Sequence, residues 1–235
     1  MKNMILNRSG RIVLSVILAV IFATAASGRA GAAVIELPLD FEYSGGAMPE
    51  SPSPWATAVF IDTGYNSVAL KMSAENLYGT EFISRWYFNF DPALDPGLLN
   101  FSISGMPGSM PNSINTGADA FKAGGNGYYD IEFDFPPPKG GFEYKFTSGE
   151  TVAYDVTYTG AGSINAYSFD FRSSSSAGKE TYYSAAHVQS IGSDGEDSGW
   201  IGSRTIVPEP VSSILFVFGG ASLAYRRYRK KRRTA

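Results

Sequence analysis

Three stretches of this chain alternate apolar and polar residues with a period of two, and that period admits few folds. In 129–135 (YDIEFDF), Tyr129, Ile131, Phe133 and Phe135 share one face while Asp130, Glu132 and Asp134 take the other. Stretch 151–159 (TVAYDVTYT) groups Val152, Tyr154, Val156 and Tyr158, and 166–172 (AYSFDFR) groups Tyr167, Phe169 and Phe171. Successive side chains of a strand point to opposite faces, so each stretch predicts a strand with one buried side. Further strands are expected over 34–42, 58–62, 67–72, 82–90, 99–104, 185–191 and 200–207. Turn-formers such as SGGAMPESPSP, KAGGNG, PPPKGG and GSDGEDSG separate them, and no part of 33–207 keeps a helical period for three turns. Roughly ten short strands parted by such turns predict an all-β fold, a single antiparallel β-sandwich of jelly-roll type. It occupies residues 33–206, enough chain for a core of its own.

That core has to hold without covalent help, because the chain contains no cysteine. Disulfides, thiolate metal sites and cysteine nucleophiles are excluded together. Charge is segregated along the chain. Residues 33–207 carry eight Lys or Arg against twenty-one Asp or Glu, a net of −13, while the remaining basic residues crowd into the two ends. A body so acidic has no means of displacing the counterions of a phosphate backbone, which argues against nucleic acid as a partner.

The first end reads MKNMILNRSGRIVLSVILAVIFATAASGRAGAAV. Lys2, Arg8 and Arg11 precede an apolar run over 12–26, and small residues follow up to Ala32 and Ala33. This is the pattern of a signal peptide over 1–32, cut by signal peptidase near Ala32 or Ala33. A retained anchor is the alternative, for which the run is short. At the other end, Val207-Pro208-Glu209-Pro210 leads into an apolar run over 211–224. As a helix that run spans ~21 Å, less than the ~30 Å of a typical hydrocarbon core. Seven bases follow, among them Arg226, Arg227 and Arg229, and hold that terminus on the cytoplasmic side. The body is therefore expected outside the inner membrane, tethered to it transiently. Pro208 and Pro210 keep the junction extended, a form that a protease cleft can take up.

A Pro-Glu-Pro, a short hydrophobic segment containing Gly219-Gly220 and an Arg/Lys-rich tail, in that order over 207–233, resemble the PEP-CTERM sorting domain of Gram-negative bacteria. The resemblance implies recognition by an exosortase at Val207, Pro208, Glu209 and Pro210. Release or attachment at the cell surface would follow. In the body, SPSPWATAVF, EFISRWYFNFDPALDP, YYDIEFDFP and YYSAAHVQSIGSDGEDSGWIGS resemble blocks of other PEP-CTERM proteins, a likeness that implies no activity.

Catalytic signals are weak. His187 is the one histidine, and no Gly-x-Ser-x-Gly elbow accompanies it. A glycan hydrolase needs two carboxylates facing across a cleft; Glu132 with Glu143 or Asp155 is the pair to examine. No cofactor is expected, with one candidate exception: Asp194, Glu196 and Asp197 in GSDGEDSG are oxygen ligands suited to Ca²⁺, although a solvated turn explains them as well. Trp55, Trp86 and Trp200 are candidates for stacking on sugar rings, against the commoner use of aromatics as core. The chain thus reads as a non-enzymatic, exported surface or biofilm-matrix protein with a structural or adhesive role and exopolysaccharide as a candidate partner. A carbohydrate-binding module is the alternative, and a hydrolase the third reading.

Overall fold

The period-two stretches do become strands, and they assemble antiparallel throughout. The computed structural model describes residues 32–104, 109–136, 145–175 and 178–208. In chain order the strands are β1 (Val34–Leu39), β2 (Phe41–Glu42), β3 (Ala56–Gly64), β4 (Ser67–Ala74), β5 (Phe82–Phe88), β6 (Leu99–Ile103) and β7 (Ser113–Ala123). Then follow β8 (Gly127–Asp134), β9 (Phe146–Thr147), β10 (Thr151–Tyr158), β11 (Ser174–Ser175), β12 (Ser184–Ile191), β13 (Asp197–Ser203) and β14 (Val207–Pro208). One sheet has the order β14-β1-β3-β4-β10-β6 and the other β11-β8-β5-β12-β13-β2, with β7 beside β8 and β9 beside β5. The chain is an all-β sandwich of two antiparallel sheets.

Alternation decides what each sheet buries. From the first sheet, Phe60 meets Phe88 edge-on at 5.4 Å and Tyr154 meets Phe133 at 5.4 Å. Phe88 and Phe133 of the second sheet are fully buried against them, with Trp86 buried beside Phe88. Each such ring removes enough apolar surface from water to contribute about 1.5–3 kcal/mol, which is how a chain without disulfides holds its two layers together.

Four expectations need correcting. The run expected as one strand over 34–42 breaks at Asp40, and its halves β1 and β2 lie in different sheets. The alternating AYSFDFR is no strand: 166–169 form a 3-10 turn. Asn165 and Ser168 cap it reciprocally, and Asp62 accepts the Ala166 N–H at 2.6 Å. Phe169 then turns inward to stack on Phe60 at 4.3 Å while Tyr167 stays exposed. Tyr129 does not join Phe133; it packs with Tyr87, Ala123 and Ala185 in a separate cluster, next to a register shift between Thr116 and Phe121 of β7. Finally, the domain does not stop at residue 206, because Val207 and Pro208 pair with Glu36 and Ile35 at the edge of the first sheet. The expected signal peptide, the apolar run over 211–224 and the basic tail with Arg226, Arg227 and Arg229 lie outside the described residues, as do Glu209 and Pro210. Among the described residues no helix is long and apolar enough to cross a membrane.

Candidate functional site

The site is built by one residue out of character with its strand. β5 reads FISRWYF, buried at every position but Arg85, which points outward from the second sheet. Cross-strand register sets its neighbours: β12 places His187 opposite Arg85, β13 places Trp200 opposite His187, and β8 places Asp134 on the other flank of Arg85. A register shift between His187 and Val188 then brings Ser84 under the imidazole, its Oγ 3.0 Å from Nδ1. The result is a groove of about 420 Å³ walled by Ser84, Arg85, Asn112, Asp134, His187, Gln189 and Trp200, with Phe135 at its edge.

The aromatic wall is a stacked pair, His187 on Trp200, with ring centres 4.6 Å apart and planes 20° from parallel. Behind Trp200 stand Tyr87 at 5.7 Å, and Tyr43 and Phe121 around the Tyr87–Tyr129 cluster. The opposite wall is charged. Arg85 Nε lies 3.4 Å from Asp134 and 3.9 Å from Glu132, which also accepts the Tyr87 hydroxyl at 2.8 Å and the Asn115 side-chain amide at 3.1 Å. Asn112 is held in place by its backbone N–H, which donates to the Asp134 carbonyl at 2.7 Å. Burial, together with the positive Arg85, pushes the His187 pKa down to about 4, so the ring is neutral at pH 7. Gln189 Nε2 also approaches Nδ1, at 3.3 Å, so Nδ1 acts as the acceptor of that side-chain pair.

Chemically, this is an array of planar hydrogen-bonding groups beside an aromatic wall, open along the sheet. Such an array suits a ligand rich in hydroxyls. A Ser-His hydrolytic pair is a poorer match. Ser84 is buried, sits on a strand irregularity and also contacts the His187 carbonyl at 3.3 Å, and a base with a pKa near 4 accepts protons weakly at neutral pH. Asp134, the carboxylate in the same groove, is engaged by Arg85. Nor do the carboxylates singled out from sequence converge: Glu132 is on the second sheet, Asp155 is exposed on β10 of the first, and Glu143 lies outside the described residues.

Of the three tryptophans, only Trp200 reaches the groove. Trp55 and Trp86 are corrected to core positions, 3% and 0% exposed, with their indole N–H groups donated to the Ser51 carbonyl and to Ser184 Oγ. Asp194, Glu196 and Asp197 occupy the β12–β13 turn and the start of β13, where Asp194 accepts the Glu196 N–H at 3.3 Å. Among the described residues no group of three or more His, Asp and Glu side chains is arranged to hold a metal ion. Sequence reasoning missed Ser84, Arg85, Asn112 and Gln189. A lone arginine inside an otherwise apolar strand was the available signal for Arg85; the others carry none. No protein-family model, curated protein or solved structure matches this chain. Fold and groove therefore define it by themselves, as an antiparallel β-sandwich with a polar, aromatic-walled groove on one sheet.

Proposed function

We propose that the chain is an exported, non-catalytic surface or matrix protein whose adhesive role is exercised on polysaccharide through the groove beside Trp200. The observation that carries this is the pairing of the His187–Trp200 wall with Arg85, Asp134, Asn112 and Gln189 on the outer face of one sheet. Buried inside, these residues would be wasteful; on the surface they offer donors and acceptors in fixed directions. Delivery rests on the sequence alone: a signal peptide over 1–32, and Val207-Pro208-Glu209-Pro210 with the basic tail as the handle for an exosortase.

Binding is tested by affinity electrophoresis of the full chain, kept soluble in mild detergent, against a panel of neutral and acidic polysaccharides. Retardation by at least one polysaccharide, lost in Trp200→Ala, is the expected result. No retardation by any of them overturns the proposal. Sorting is tested separately by the intact mass and location of the protein from its native host with and without the exosortase. A mass lacking both ends, found outside the cell only when the enzyme is present, is expected.

A further inference from the structure

The body is acidic, yet its few cations are not scattered. Three of the eight basic residues in 33–207, namely Arg172, Lys179 and Arg204, gather at the β2 end of the second sheet. They line two adjoining depressions of about 400 and 420 Å³. Two of them are fixed in direction. Arg172 donates to the carbonyls of Thr181 and Arg204, both at 2.8 Å, and lies over the Tyr183 ring at 4.5 Å. Arg204 lies over the Phe41 ring at 3.1 Å. Held this way, a guanidinium loses little freedom when it pairs with an anion.

What the patch is shaped for is indicated by what already occupies it. Arg204 Nη2 donates to the Glu180 carboxylate at 2.8 Å, and Tyr182 donates its hydroxyl to the same oxygen at 2.9 Å. Glu180 is largely exposed and reaches the patch from the chain just before β12. Exposed pairs of this kind are weak, so a carboxylate carried by a ligand can take the place of Glu180. The second acid nearby, Glu42, is turned away onto Ser44, Gly45 and Gly46.

The patch is joined to the groove through Tyr43. Tyr43 lines the first depression, donates its backbone N–H to the Trp200 carbonyl at 3.0 Å and stacks on Tyr182 at 4.4 Å. Tyr182 stacks in turn on Phe41. A row of aromatic residues, His187, Trp200, Tyr43, Tyr182 and Phe41, with Tyr182 buried, links the two and ends under Arg204. We infer that the polysaccharide bound at the groove is a carboxylated one, a uronic-acid-bearing chain with a carboxylate in the Arg204–Lys179 patch and a sugar further along the same chain beside Trp200. This inference rests on the polysaccharide reading of the groove. The repulsion of the distant acidic surface is largely screened at physiological salt, where charges separated by more than ~8 Å hardly interact. The patch therefore decides locally.

The test uses the full chain in mild detergent and three probes: polygalacturonate, neutral dextran and dextran sulfate. Polygalacturonate should bind at least ~10-fold more tightly than dextran, and Arg204→Ala/Lys179→Ala should remove that preference while leaving any dextran binding unchanged. Glu180→Gln, which vacates the patch, should strengthen polygalacturonate binding. If Arg204→Ala/Lys179→Ala leaves polygalacturonate affinity as it was, the carboxylate site is overturned while the groove reading survives. Should dextran sulfate bind as tightly as polygalacturonate, charge alone is being read and the carboxylate assignment fails. Binding of none of the three, with none on the wider panel, overturns both.

Discussion

The two faces of the second sheet are made by the same strands and serve opposite ends. On β5, Trp86 and Phe88 point inward, Phe88 onto Phe60 of the first sheet, while Arg85 and Tyr87 point outward beside His187 and Trp200. Inside, the buried indole of β5 is answered within the protein: Trp86 Nε1 donates to Ser184 Oγ, and that hydroxyl donates to the Tyr87 carbonyl, both at 2.8 Å. Outside, the indole of Trp200 makes no side-chain hydrogen bond among the described residues, and its wall is held by stacking. A ring on the inner face is spent on stability. Trp200, on the outer face, keeps its indole N–H for something else.

The sharpest way to break this comparison is to remove one tryptophan from each face. Trp86→Ala should cost about 3–5 kcal/mol, since it empties a fully enclosed site that neighbours refill poorly. Trp200→Ala, half-buried, should cost clearly less and abolish polysaccharide binding with the fold intact. Urea denaturation of both variants measures this. Equal losses of stability would mean that the outer face is simply a second core. A smaller effect comes from Ser184→Ala, which strands the Trp86 N–H in a dry interior and should cost about 1–3 kcal/mol without changing binding.

The same contrast explains how much could be read from the sequence. Inner-face residues announce themselves by alternation, which is why β10 and the 131–134 part of β8 are legible residue by residue. β7 was not, because its SINTGADAFKA buries only Ala123 fully and is a strand only through its pairing with β8. AYSFDFR failed in the other direction: its alternation is real, but side chains distant in sequence, Asp62 and Phe60, fold it into a turn. The groove depends on cross-strand register. His187 and Trp200 stood out as rare residues, whereas nothing local says that Arg85 lies opposite His187 or that a shift delivers Ser84 beneath it. Asp130, expected on a solvated side, instead accepts the backbone N–H groups of Phe90 and Asp119 at 2.8 and 2.7 Å, contacts set by chain segments forty and eleven residues away.

A pH titration sharpens the comparison further. His187 has its pKa lowered to about 4 in the fold by burial and then by Arg85, against ~6.5 in an unfolded chain. Between those values the unfolded state binds the extra proton, so the stability it contributes is complete above pH ~6.5 and is lost as pH falls towards 4. Partial exposure of the ring limits this to about 1 kcal/mol. Asp130, whose carboxyl is raised by burial, works in the opposite sense in acid. The quantity to measure is therefore the difference between the wild-type and His187→Gln profiles of unfolding free energy from pH 7 to 4.5. The variant should show a shallower loss. Superimposable profiles would mean that the imidazole is as well solvated as a free one and that the stacked wall is open.

The smallest effect is expected where the outer face looks most like a structural bond. Asp134→Asn removes the charge that faces Arg85 at 3.4 Å, a pair whose side chains are 52% and 35% exposed. Water solvates both partners well, and Glu132 remains at 3.9 Å to keep some charge near the guanidinium. The change should therefore cost under about 1 kcal/mol, well below either inner-face substitution. Its effect on polysaccharide binding should be the larger one, because the freed Arg85 changes its direction in the groove. Equilibrium unfolding and affinity electrophoresis on the same variant separate the two. A stability loss above about 2 kcal/mol, the range of a broken buried pair, would place Arg85 and Asp134 among the supports of the fold and remove them from the ligand's reach.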